Sequence, residues 1–285
     1  MAGDRVLVIE QNAIVSREQL EITPSRRDDI PEDLEDDLRN IGCELIQSAG
    51  ILLRLPQAAM ATAQVLFQRF FYMASLRKYG IKDIGMGSLF LASKIEECMV
   101  RIRDLINVYY YLIRRLKKVP AVEPMDQFSQ IFYDMKNAMI VSEMHILKRL
   151  GFDVHVRLPY GLMFNYLQVL ELESHKELPQ RAWNYLNDGL RTNIYVCYQP
   201  PTIASAVIWL AARELGVKLP TNPPWWEVFD TTLEDMQVIA IRLKRLYLRL
   251  PQRNLPLSVE EMEQYLTATY GNRRDESTKE SAAEK

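Results

Sequence analysis

Leu91-Ala92-Ser93-Lys94-Ile95-Glu96 and Leu210-Ala211-Ala212-Arg213-Glu214 read as two spellings of one helical segment. Each falls in the third member of a run of helix-period patterns. A second pair, Leu147-Lys148-Arg149-Leu150 and Leu243-Lys244-Arg245-Leu246, closes the fifth member of each run. Matches this short say little one at a time. Falling at equivalent places in two successive five-helix runs, they predict a tandem duplication.

Outward from these anchors, apolar residues recur every three or four positions, as on one face of a helix. The spacing predicts helices over about 34–53, 57–78, 82–99, 101–118 and 128–150. Pro56, Gly80, Pro120 to Pro124 and Gly151 are the breaks between or after them, and Asp83 is a candidate cap for the third. The second run covers about 159–173, 179–196, 201–216, a short piece at 225–229, and 231–250. Thr231 with Glu234 spells a capping box for the last helix. Residues 1–35, with Thr23-Pro24-Ser25-Arg26-Arg27-Asp28-Asp29, read as a polar arm lying on the surface or disordered. The expected organisation is the arm, a first fold over 36–152, a second over 153–255, and a polar tail over 256–285.

Composition agrees with an all-α class. The chain has 285 residues, enough for two cores, and is 48% apolar with only 11 glycines. Its apolar runs are rich in Leu, Met and Ala rather than Val, Ile and Thr. A formal net charge of −2 lacks the basic field that draws a whole protein onto nucleic acid, so no direct nucleic-acid binding is expected. Cys43, Cys98 and Cys197 are far apart and odd in number, which fits buried thiols in a reducing compartment. No apolar run reaches the length needed to span a bilayer. Asp4, Arg5 and Glu10 interrupt the place a signal peptide would keep apolar, so the expectation is an intracellular protein with no membrane partner.

Two charges stand where a core-facing stripe would be apolar. Lys94 shares a helical stripe with Gly87, Leu91, Ile95 and Cys98, and Glu143 shares one with Met139, Ile146, Leu147 and Leu150. Buried alone, either would cost several kcal/mol, so each needs the other or a partner's groups nearby. Alternatively both are rim charges whose heads snorkel into water. The duplication supplies a control. Lys94 corresponds to Arg213, but Glu143 corresponds to Ile239, so the fold itself does not require the acid.

The run Leu91-Ala92-Ser93-Lys94-Ile95-Glu96-Glu97 resembles the signature of the cyclin box. Glu143 with Leu147-Lys148-Arg149-Leu150-Gly151-Phe152 resembles the end of that box's fifth helix. The resemblance runs roughly from Thr23 to Leu250 and is nearest to the transcription-type cyclin L branch. It is carried by Thr23-Pro24-Ser25, Gly42-Cys43-Glu44-Leu45-Ile46-Gln47, Ala49-Gly50-Ile51-Leu52-Leu53-Arg54-Leu55-Pro56, Gln68-Arg69-Phe70-Phe71-Tyr72, Arg101-Ile102-Arg103-Asp104 and Trp183-Asn184-Tyr185-Leu186-Asn187-Asp188. It implies two tandem five-helix cyclin folds that bind and activate a cyclin-dependent serine/threonine kinase, of the PITSLRE type or a near relative. It further implies a nuclear role in RNA polymerase II transcription and pre-mRNA processing, with splicing or transcription factors as further partners. In cyclins this Lys and this Glu grip the kinase's regulatory helix and a neighbouring strand loop. The implied kinase-binding set is therefore Lys94 and Glu143 with Phe71, Tyr72, Ile95 and Ile146 as apolar neighbours, within 36–152, while 158–250 mainly buttresses.

Two departures qualify the resemblance. Cyclin L proteins often carry an arginine/serine-rich tail, whereas this sequence ends in a short polar stretch from Gly271 to Lys285, which weakens the expectation of a splicing role. The first helix has Ile41-Gly42-Cys43-Glu44-Leu45 where cell-cycle cyclins dock substrates through Met-Arg-Ala-Ile-Leu. The alternative within the fold is a transcription factor of the IIB type or a scaffold without a kinase. A IIB-type factor would bring a zinc ribbon and strongly basic second-repeat helices, and the sequence spells neither.

Other constellations carry no chemistry. His145, His155 and His175 lack metal-ligand spacing, and Gly85-Met86-Gly87 lacks the third glycine and preceding strand of a nucleotide-binding turn. No nucleophile elbow, P-loop or kinase catalytic run occurs, so no enzyme activity, metal or cofactor is expected. Arg114-Arg115-Leu116-Lys117-Lys118 reads as a solvated helix end, with RNA contact or nuclear import as the other readings. Trp225-Trp226 reads as a hydrophobic plug, with a ligand cage as the other reading.

Overall fold

The structure, a computed structural model, describes residues 11–119, 125–249 and 255–269. The expected break at 120–124, Leu250 and the polar end from Gly271 to Lys285 lie outside the described residues. Every regular element among the described residues is helical, with one isolated bridge between Thr221 and Pro224. The chain divides into two compact units. One holds Arg17–Val154, Leu190–Thr192 and the described residues from Tyr247 onward; the other holds the described residues up to Ser16, His155–Gly189 and Asn193–Leu246.

The first unit opens with two short helices, α1 (Arg17–Glu21) and α2 (Pro24–Arg27). Five longer ones follow: α3 (Glu32–Leu52), α4 (Gln57–Met73), α5 (Ile81–Ile95), α6 (Ile102–Leu116) and α7 (Gln130–Arg149). Acidic Glu32, Asp33 and Glu35 sit in the first turn of α3, where the helix dipole favours them. α4 is buried from Ala59 to Tyr72, as expected of a central helix that others surround. Its Phe67, Phe70 and Phe71 rings meet edge to face with centroids 4.9 to 5.3 Å apart. Burial of each ring contributes about 2–3 kcal/mol. α3 crosses α4 closely because residue 42 is glycine: a Cβ there would stand 2.1 Å from the Phe67 ring.

The arm differs from expectation. Thr23 caps α2 by accepting from the Arg26 amide, and Thr23, Ser25 and Ile30 are buried. Glu35 gathers the Thr23 hydroxyl (2.8 Å), the Arg26 guanidinium (3.2 Å) and Arg39 (2.5 Å). Arg39 also donates to the Phe71 carbonyl and lies 4.0 Å over the Tyr72 ring. A buried charge network thus fixes residues 23–30 against α3 and α4. The tail differs likewise. Residues 259–269 form a helix, α13, and Leu255, Leu257 and Met262 are buried. The Lys82 amide donates to the Leu257 carbonyl, Arg77 makes a two-pronged pair with Glu263, and Lys117 pairs with Glu261.

The second unit contains α8 (Tyr160–Val169), α9 (Leu178–Gly189), α10 (Ile194–Cys197), α11 (Pro200–Leu215), a 3-10 turn (Trp225–Phe229) and α12 (Leu233–Leu248). α11 is its buried centre, packed by α8, α9 and the 3-10 turn. The helix expected over 179–196 is two, α9 and α10, with Asn193 restarting the backbone bonding by accepting from the Val196 and Cys197 amides. The cap of α12 lies one residue later than its spelling indicated. Thr232 accepts from the Asp235 amide, while Thr231 is buried and donates to the Phe229 carbonyl. Likewise Gly80, not Asp83, caps α5.

Candidate kinase-binding surface

α5 and α7 are held close by a small-residue contact. A Cβ at Gly87 would lie 2.8 Å from Ser142 Cβ and 3.1 Å from the Glu143 backbone nitrogen. Lys94 is seven residues beyond Gly87, so two helical turns bring it back to the same face. Its Nζ lies 2.6 Å from Glu143 Oε1 and 4.1 Å from the centre of the Phe90 ring. The Lys94 side chain is 38% exposed and that of Glu143 is 14% exposed, so the pair sits at the rim of the core with one face open to water. An ion pair this exposed contributes less than about 1 kcal/mol to folding, so stability does not account for it.

Several large apolar side chains of α7 are exposed. On α7, Tyr133, Ile140 and Met144 fall at helical spacing with Asn137 and all are exposed, as is Val141. Glu143 is flanked by Ile140, three residues before it, and by Met144. Just past α5, Met99 is 74% exposed. Large apolar side chains exposed beside a charged residue on one helix are a feature that interaction surfaces carry.

The six residues implied by the resemblance divide into two groups. Lys94 and Glu143 meet, and Ile95 is partly exposed beside them. Phe71, Tyr72 and Ile146 are buried, so they support the surface from beneath and do not stand on it. The exposed apolar residues of α7 that the sequence reading did not single out are Ile140, Val141 and Met144. Their signal was present: α7 carries apolar residues on both sides, more than one core-facing stripe needs. Glu96, next in sequence to Ile95, accepts from the Thr62 hydroxyl at 2.7 Å and ties the end of α5 to α4. Burial raises the Cys98 thiol, with the Glu96 carboxylate adding to it, and burial pushes the Cys43 thiol up to about 12. Both therefore stay protonated at neutral pH.

The second repeat keeps half of the arrangement. Arg213 lies 4.9 Å over the Trp209 ring, four residues before it, as Lys94 lies over Phe90. Ile239, in place of Glu143, is fully buried. The other singled-out residues have structural roles. His175 Nδ1 accepts from the amides of Glu177 and Leu178 at the start of α9, and Trp225 packs edge-on against Trp226 and Phe229. No group of three or more metal-ligating side chains occurs among the described residues, and no helix there is long and apolar enough to cross a membrane.

Residues 11–155 match the family described as "Cyclin, N-terminal domain". The chain belongs to the cyclin family. It is 48% identical over 268 residues to Cyclin-L1 of Rattus norvegicus, covering 92% of this chain and 50% of that protein. It is 48% identical over 254 residues to Cyclin-L2 of Homo sapiens, covering 87% of this chain and 48% of that protein. The chain thus spans about half the length of the curated relatives it matches. Its fold is similar to a chain in the crystal structure of the yeast RNA Pol II CTD kinase CTDK-1 complex, with a TM-score of 0.67 at 16% identity, covering 90% of this chain and 83% of that one. The all-α cyclin fold expected from the repeat and the cyclin-box residues is the fold observed.

Proposed function

We propose that this chain is a kinase regulator without catalytic activity of its own, which binds and activates a cyclin-dependent kinase through the face formed by α5 and α7. The observation that carries the reading is the Lys94–Glu143 pair, at the rim of the core, with Ile140 and Met144 exposed next to Glu143 along α7, and unexplained by stability. A rigid helical face of this kind activates by population shift. The free kinase spends most of its time with its regulatory helix swung out, and a surface complementary only to the swung-in form shifts the balance by its differential affinity. Little is lost in ordering such a surface, since α5 and α7 are already fixed against α4.

The similarity to Cyclin-L1 and Cyclin-L2 supports a finer proposal: a kinase of the PITSLRE type or a near relative, and a nuclear role in RNA polymerase II transcription and pre-mRNA processing alongside splicing or transcription factors. The test is to mix the purified chain with such a kinase and a peptide substrate. Stimulated phosphate transfer is expected, with none from the chain alone. Unchanged transfer at saturating chain would refute the activation, and failure to recover any kinase by affinity purification would favour a scaffold.

A further inference from the structure

Away from the α5–α7 pair, a small open cavity of about 190 Å³ lies in the first unit between α2, the segment after α4, and the end of α7. Arg27, Lys78 and Arg149 come to it from three separate places in the chain, with Asp28 the one acid in the lining and Pro24 and Met73 part of its apolar wall. Neighbouring cations are matched: Arg26 with Glu32 and Glu35, Arg77 with Glu263, and Lys117 with Glu261. Among the described residues the guanidinium groups of Arg27 and Arg149 find no hydrogen-bond or ion-pair partner, although Asp28 lines the same cavity. Asp28 instead engages Lys78 loosely, at 3.7 Å. Three cations against one carboxylate leave an excess of two positive charges around a space the size of one small group.

We propose that this cavity binds a phosphorylated serine or threonine of a protein segment. A phosphomonoester carries about −1.5 to −2 charge at neutral pH and three acceptor oxygens, which matches the excess charge and the two free guanidinium forks. A carboxylate would match only half of it. The apolar wall fits the stem of the phosphorylated side chain. A nucleic-acid strand fits less well, because it needs a basic track, and here Asp29, Glu32 and Asp33 follow directly on the cavity in sequence. The proposal does not depend on the kinase reading.

The probe is N-acetyl-phosphothreonine methylamide, titrated into the full chain in phosphate-free buffer while the amide resonances of Ser75 and Lys78 are followed. Saturable shifts at millimolar or lower concentration are expected, reversed by inorganic phosphate and absent with the unphosphorylated threonine probe. Arg27→Ala and Arg149→Ala should each weaken binding about tenfold, the usual effect of removing one charge-assisted contact. Both side chains are exposed, so melting temperatures should match wild type, which separates lost binding from lost fold. Phosphothreonine shifts that are absent, equalled by N-acetyl-glutamate methylamide, or unchanged in both variants would overturn the proposal. So would tighter binding of a single-stranded RNA decamer that displaces phosphothreonine.

Discussion

Gly87→Ala isolates the contact that places Glu143 against Lys94. The added Cβ would stand 2.8 Å from Ser142 Cβ, 3.2 Å from Ser142 C and 3.1 Å from the Glu143 backbone nitrogen. Against ordinary contact from 3.4 Å, α7 is about 0.6 Å too close at the worst point, and the atoms met are backbone or Cβ, which no rotamer change can move. Overpacking of this kind costs about 1–3 kcal/mol. Ala is favoured over Gly inside a helix by about 1 kcal/mol, which offsets part of it. A net loss of up to about 2 kcal/mol should lower the melting temperature by up to roughly 8 °C. Gly161→Ala is the control, since nothing lies within 4 Å of its Cβ position. It should keep the propensity gain and melt higher. Paired melts with kinase titrations decide the matter: Gly87→Ala should lose stability and affinity together. A gain in stability like that of Gly161→Ala would refute the close α5–α7 packing.

Two further outcomes follow from the network at the arm and the anchoring of α13. Arg39→Ala removes a nearly buried cation from Glu35, the Phe71 carbonyl and the Tyr72 ring, and should cost about 3 kcal/mol. A melting temperature within error of wild type would contradict the buried pair. The hydrogen bond from Arg77 holds the Glu263 carboxyl below its ordinary 4.5. A depressed carboxyl stabilises fully above the unfolded value and loses that contribution as pH falls through the folded value. Amides of 259–269 should therefore keep their exchange protection above about pH 4.5 and lose it first as pH falls below, which pH-dependent hydrogen exchange measures.

The duplicated helices were legible because their apolar residues recur at helical spacing and their stops are Pro or Gly. Helix ends were less so. Some helices among the described residues finish on a non-glycine in the left-handed region, such as Glu97 and Glu171, where composition gives no stop signal. The arm and tail were misjudged for one reason. Residues 17–35 and 255–269 are mostly polar and their buried residues, among them Thr23, Ser25, Ile30, Leu34, Leu255, Leu257 and Met262, do not follow one helical stripe, so their order comes from long-range ion pairs and caps rather than from periodicity. At the candidate surface, Lys94 and Glu143 stood out as charges in apolar stripes. Phe71, Tyr72 and Ile146 could not be told from surface neighbours, because which side of α4 or α7 faces the core is settled only by packing.

The most direct test of the account is titration of a PITSLRE-type kinase against wild type, Lys94→Ala, Glu143→Ala and the double variant, with a melt of each free chain. At an interface, removing one member of a desolvated pair leaves the other charge unmatched, at a cost of about 2–5 kcal/mol, or roughly thirtyfold or more in affinity. In the free chain both heads reach water, so each substitution should cost less than about 1 kcal/mol of stability. The double variant should lose less affinity than the two singles together, as contacting residues do. Wild-type affinity in either single variant, or a melting collapse large enough to account for the lost binding, would contradict the assignment of α5 and α7 as the kinase-binding face.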